Sequence, residues 1–143
     1  MRKTVAALAV AAQALVACGS APSPGFAGYR WQVVAISHAG KTTGIPATMR
    51  VGLQFSTDGR FGASDGVNFY SGSYSTIPGN GFTTSSMSGT LVGYAGHDSA
   101  VLLAISAIQS FSDGTRATYR LTGDRLTVTV GSYTLTTQRH GTS

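Results

Sequence analysis

Residues 49–55 read MRVGLQF, with Met49, Val51, Leu53 and Phe55 apolar and Arg50, Gly52 and Gln54 between them. A period of two puts the four apolar side chains on one face of a strand. Leu126, Val128 and Val130 alternate with Thr127 and Thr129 in the same way, which predicts one packed face and one wet face. Further strands are expected over residues 29–36, 68–74 and 81–87, with a short extended piece at 60–62. Asp58-Gly59 and Gly79-Asn80-Gly81 mark turns, and residues 40–46 read as a loop. The connections Gly123-Asp124 and Gly131-Ser132 suit type II′ hairpins. They join strands at 115–122, 125–130 and 133–138 into a meander, with residues 139–143 expected to fray. Residues 98–111 depart from this pattern. Asp98 is placed to cap a helix, and Val101, Leu102, Leu103, Ile105 and Ile108 make an apolar face at helical spacing. The expected fold class is α+β, mostly β: a curved antiparallel sheet or a partly closed small barrel with one packed helix.

Composition supports this and narrows the function. A length of 143 residues suits a single domain. The five acidic residues are all Asp, and the ten Lys and Arg give a formal net charge of +5. Arg2 and Lys3 stand together; Arg30, Lys41, Arg50, Arg60, Arg116, Arg120, Arg125 and Arg139 are scattered singly. A nucleic-acid binder needs a clustered basic stripe, so no nucleic-acid partner is expected. Weak attraction to anionic lipid headgroups is compatible with the surplus.

The first segment carries the most specific chemistry. Arg2 and Lys3 precede an apolar run from Thr4 to Val16, broken only by Gln13. That run is too short to span a bilayer, which takes about 20 residues, and has the length of a signal-peptide core. It ends in Leu15-Val16-Ala17-Cys18, which resembles the lipobox of bacterial lipoproteins. The resemblance implies that residues 1–17 are a cleaved signal and that the Cys18 thiol takes diacylglycerol. Cys18 is the chain's only cysteine, and lipidation explains an exported protein with one unpaired thiol. With two acyl chains, it would anchor stably in the cell membrane or outer membrane, on the extracytoplasmic side. Residues 18–28, rich in Gly, Ser and Pro, read as a flexible tether. The domain is then expected at 29–139, with a tail at 140–143.

The order of motifs resembles the META/HslJ-like domain. Trp31 and the run Phe55-Ser56-Thr57-Asp58-Gly59-Arg60 fit its first parts. The stretch from Gly62 to Tyr74 (GASDGVNFYSGSY) fits its G-x-x-G-C-N-x-φ-x-G-x-Y signature, and Thr90-Leu91-Val92 fits its Thr-led segment. Val67 stands where many members have Cys, and Gly93 or Tyr94 stands near a second frequent Cys, so a disulfide or thiol role proposed for the family cannot apply here. The signature also has a plain structural reading: Gly62, Gly66 and Gly72 permit turns or close approach, Asn68 bonds local backbone, and Tyr74 packs with a polar tip. The resemblance implies an envelope lipoprotein linked to stress or antibiotic tolerance, without enzymatic activity.

No catalytic constellation stands out. Gly62-Ala63-Ser64-Asp65-Gly66 matches the G-x-S-x-G elbow, but that motif has meaning only on a strand–turn–helix of a parallel sheet. His38, His97 and His140 are far apart and lack ligand spacing; no metal and no cofactor is expected. The aromatics Trp31, Phe55, Phe69, Tyr70 and Tyr74 leave two architectures open: a core, or the lining of a pocket for a small hydrophobic ligand. The leading expectation is a non-enzymatic lipoprotein whose partners are the membrane lipid and an envelope protein. The alternative is a small-ligand-binding β-barrel lipoprotein.

Overall fold

A computed structural model describes residues 23–143. Cys18, and the lipobox and signal segment expected over residues 1–18, lie outside the described residues.

Nine strands form one antiparallel sheet that closes on itself. β1 (Tyr29–His38) pairs along one edge with β2 (Lys41–Gly44) and β3 (Val51–Phe55). The order continues through β4 (Arg60–Asp65), β5 (Phe69–Ile77), β6 (Gly81–Gly89), β7 (Arg116–Thr122), β8 (Arg125–Val130) and β9 (Tyr133–Thr142). β9 then returns to the free edge of β1, with Ile36 opposite Leu135 and Trp31 opposite Arg139. Without β2, which extends β1 as a hairpin, the result is a closed barrel of eight strands. Closure satisfies the edge N–H and C=O groups that an open sheet leaves free. The expected mostly-β fold, a small barrel with one packed helix, is what forms, and the closure is complete.

Alternation decides what fills it. Val51, Leu53 and Phe55 of β3, Leu126, Val128 and Val130 of β8, and Trp31, Val33 and Ile36 of β1 all point inward and are buried. Gly123 and Gly131 have positive φ, and neither Asp124 nor Ser132 does, as type II′ turns require. The helix α1 (Ser99–Gln109) begins where expected: the Asp98 carboxylate accepts from Ala100 N at 2.8 Å and Val101 N at 3.3 Å. Of the expected apolar face, Ile108 is buried and Leu103 packs against the core, while Leu102 is exposed; the other buried positions are Ala104 and Ala107. Two alanines let the helix backbone approach the barrel closely.

Three local expectations change. Residues 40–46 are not simply a loop, because Ala39 and Gly40 both take positive φ, turning the chain into the β1–β2 hairpin. The tail does not fray at 139: β9 runs to Thr142, Tyr29 pairs with Thr142, and Ser143 N donates to Gly28 O at 3.0 Å. The tether does not extend to residue 28 either. Phe26 is fully buried, its ring 4.6 Å from Phe55 and 4.7 Å from Tyr119, and its carbonyl accepts from Trp31 Nε1 at 3.0 Å. The residues that precede β1 join the core through the buried Phe26 ring together with backbone bonds, Gly28 N donating to Phe55 O at 2.7 Å and Ala27 N to Pro24 O at 2.9 Å.

Candidate functional site

Among the described residues, aromatic side chains fill the interior of the barrel. Phe26, Trp31, Phe55, Phe61 and Phe82 are fully buried side chains inside it. Phe55 is the hub: its ring lies 5.3 Å from each of Phe61, Tyr74 and Phe82. Of the aromatics singled out in the sequence, Trp31, Phe55 and Tyr74 are core. Tyr74 donates its hydroxyl to Ser56 O at 2.7 Å, and burial pushes its pKa above the ordinary 10.0. Tyr70 is half-buried and Phe69 is 70% exposed.

The signature residues build a polar clamp at the β4–β5 turn. Asp65 is fully buried. Its Oδ1 accepts from Val67 N at 2.8 Å and Asn68 N at 2.6 Å, and its Oδ2 accepts from Tyr70 Oη at 2.9 Å. Gly66 takes φ +92°, and a Cβ there would sit 2.5 Å from Met49 O, so both conformation and space require glycine. Asn68 reaches across the chain and does not bond local backbone. Its Nδ2 donates to Val92 O at 3.0 Å, and its Oδ1 accepts from Val92 N at 2.6 Å and Thr90 Oγ1 at 3.0 Å. Thr90 Oγ1 also accepts from Phe69 N at 3.1 Å. The Asn and the Thr-led segment, 22 residues apart, are thus two halves of one contact. With Val67 in place of Cys, hydrogen bonds hold these segments together.

On the outer wall, the same strands leave a hollow. Gly52 of β3 and Gly62 of β4 lie on the outward face, and their registers, Gly52 opposite Ser64 and Gln54 opposite Gly62, make them diagonal neighbours. Together they floor an open groove of about 560 Å³. Arg50 stands at one end; Arg30, opposite Gln54, and His140 stand at the other. Gln32, Gln54 and Ser64 add amide and hydroxyl groups, and Phe69 forms part of the rim. No acidic side chain lines it.

A family model described as the META domain matches residues 25–141. The chain belongs to the META domain family. Among solved structures, one similar fold is an NMR structure of a protein from Burkholderia xenovorans. It has a TM-score of 0.60 and 18% identity, and the match covers 85% of this chain and 93% of that one. A second NMR structure gives a TM-score of 0.57 at 19% identity, covering 78% and 88% respectively. At such identities, the likeness speaks to the fold. No match was found among curated proteins.

Within this META domain, the catalytic and metal candidates stay apart. Ser64 lies inside antiparallel β4, where its Oγ accepts from Gly66 N at 3.2 Å; the strand–turn–helix that gives an elbow its meaning is not there. His38 Nδ1 bonds Ser132, and its ring stacks on Tyr133 at 4.4 Å. His97 and His140 are exposed. Among the described residues, no three of His, Cys, Asp and Glu come together. What sequence reasoning missed is the groove. Arg30 and Arg50 look like isolated surface charges along the chain, and the missing side chains at Gly52 and Gly62 have no signal until register sets them on one diagonal of the same face.

Proposed function

We propose that the chain is a membrane-anchored envelope lipoprotein whose META domain acts without catalysis, through contacts on its outer surface. The observation that carries this reading is the register of the leader: basic start, short apolar run, and Leu15-Val16-Ala17 ending directly on the one cysteine. The filled barrel supports the second half of it. A domain packed solid with aromatic side chains offers partners only its exterior and serves as a rigid body held near a membrane. Its role is then in envelope stress or antibiotic tolerance, as the family resemblance implies.

The test is metabolic labelling of the full chain with an alkyne fatty acid, followed by detergent phase partition. The wild-type chain incorporates label and enters the detergent phase, and Cys18→Ala does neither. Label retained on Cys18→Ala, or none on wild type, overturns the anchor. Deleting the gene then sensitises cells to envelope-targeting antibiotics, and an unchanged sensitivity across such compounds removes the stress role. One observation favours the second reading, a ligand-binding lipoprotein: the outer groove has the size of a small-molecule site. A thermal-shift screen of hydrophobic metabolites and antibiotics tests it; uniformly flat melting temperatures count against it.

A further inference from the structure

We propose that the groove on the outer wall of β1, β3 and β4 binds a short acidic oligosaccharide, with carboxylate groups held by Arg30 and Arg50. This rests on the reading that the domain works through its exterior, and it names the chemistry of the contact.

Charge comes first. Arg50 immediately precedes β3 and Arg30 lies opposite Gln54 on β1. Four residues of strand separate the two ends, roughly 13 Å at about 3.3 Å per residue. Both arginines are exposed, and among the described residues neither forms a salt bridge and the groove lining has no Asp. A guanidinium presents a planar fork that matches a carboxylate in two parallel hydrogen bonds. Arg50 takes φ +57° and ψ +38° as the C-cap of the short 3-10 helix Ala47–Met49, a left-handed region that favours Gly or Asn.

The floor comes second. Gly62 has open space above it: a Cβ there would find only ordinary contacts, Gln54 Cβ at 3.7 Å and Tyr70 O at 3.9 Å. Glycine is therefore not needed at Gly62 for packing or conformation, and in a strand interior it weakens the sheet. What it supplies is a flat shelf diagonal to Gly52, where a Cβ would come within 3.0 Å of Trp31 O. A flat apolar shelf with an exposed aromatic rim at Phe69 suits the C–H face of a sugar ring. Gln32, Gln54 and Ser64 offer the amide and hydroxyl partners that sugar hydroxyls take.

An acidic peptide would satisfy the arginines equally. It would lack its usual main-chain attachment, because an extended peptide binds by adding to a free sheet edge. The strands beneath the groove are paired on both sides where it lies: β3 to β1 and β4, and β4 to β3 and β5. Side chains, not backbone, must then make the contacts, which favours the saccharide.

The experiment is amide NMR and calorimetry on the full chain in detergent micelles, titrated with tetragalacturonate, with neutral maltotetraose and with tetraglutamate. Tetragalacturonate shifts the amides of residues 50–54 and 62–64, and maltotetraose leaves them unmoved. Arg30→Gln and Arg50→Asn each weaken binding about tenfold or more, the cost of a lost charged hydrogen bond; Asn keeps the left-handed backbone. Gly62→Leu fills the shelf and abolishes the shifts. Gly62→Ala, a smaller intrusion, weakens them and guards against a folding defect in the larger variant. Cys18→Ala binds as wild type does, which separates failure of the anchor from failure of this site. Absence of shifts with tetragalacturonate, or shifts that survive Gly62→Leu in a folded protein, overturns the proposal. Equal shifts with tetraglutamate overturn it in favour of an acidic peptide.

Discussion

On their inner face, β3 and β4 carry Val51, Leu53, Phe55, Phe61 and Ala63, all buried. On the outer face, the alternating positions are Gly52, Gln54, Gly62 and Ser64, two of them without side chains. One backbone thus serves opposite ends: side chains filled in to make a core, and side chains taken away to make a hollow. The inner face is organised around one aromatic hub, where each ring touches several others and none can leave without a cavity. The outer face is held in shape by that core and contributes little to it. Stability and surface chemistry are therefore separable in this barrel, residue by residue along the same strand.

The comparison breaks most sharply at Phe26. Phe26→Ala removes a fully buried ring with aromatic neighbours on several strands. It is expected to cost about 3–5 kcal/mol, a large part of a domain's total stability, as read by chemical denaturation. A cost below about 1 kcal/mol would mean that the residues before β1 are not core. Asn68→Ala comes next. It strands the Val92 N–H and C=O and the Thr90 hydroxyl, for an expected loss of about 2 kcal/mol, and hydrogen exchange at Val92 should rise while that at Val128 tracks only the global loss. Equal protection at Val92 would show that the clamp is not what holds the Thr-led segment.

The tyrosines give a pH-dependent contrast. Burial raises the pKa of Tyr74, and burial likewise raises that of Tyr70, above the ordinary 10.0. The folded protein holds those protons more tightly than the unfolded chain. Their contribution is fully present below pH 10 and is lost as pH rises through the folded values. Denaturation midpoints should fall above pH 10, and Tyr74→Phe should flatten part of that fall; an unchanged slope would remove Tyr74 from the account. The smallest effect belongs to the outer face. Gly62→Ala should raise stability by about 0.5–1 kcal/mol, because it relieves the entropic cost of a strand glycine without a close contact. A destabilisation would show that the two faces are coupled.

Individual strands were legible wherever alternation was clean, as at Val51–Phe55 and Arg125–Val130, because a period of two is a local property. The Asp98 cap and the hairpins at Gly123 and Gly131 were legible for the same reason: each needs only a neighbouring residue or two. The β1–β2 hairpin was hidden because Ala39 takes a left-handed conformation that alanine does not advertise. The helix face was legible only in part: Ile108 is buried and Leu103 packs against the core as its spacing implies, but Ala104 and Ala107, also buried there, carry no apolar bulk to mark them. Of the candidate site, the signature was visible as a string, but Asn68 bonding Val92 was not, since nothing local pairs those two positions.

The amino-acid order by itself determined most of the strand pattern, the α-helix that Asp98 caps, and the family. It also carries the apolar run ending on Cys18, from which the proposed anchor is read. Tertiary structure decided the rest. Closure of β9 on β1 brings Trp31 opposite Arg139, a pairing that carries no sequence signal because it depends on how eight strands curl. The same curling made the aromatics a solid core, and strand register set Gly52 and Gly62 on one diagonal between two arginines. Local pattern fixes which way a side chain faces; only the closed barrel fixes what it faces.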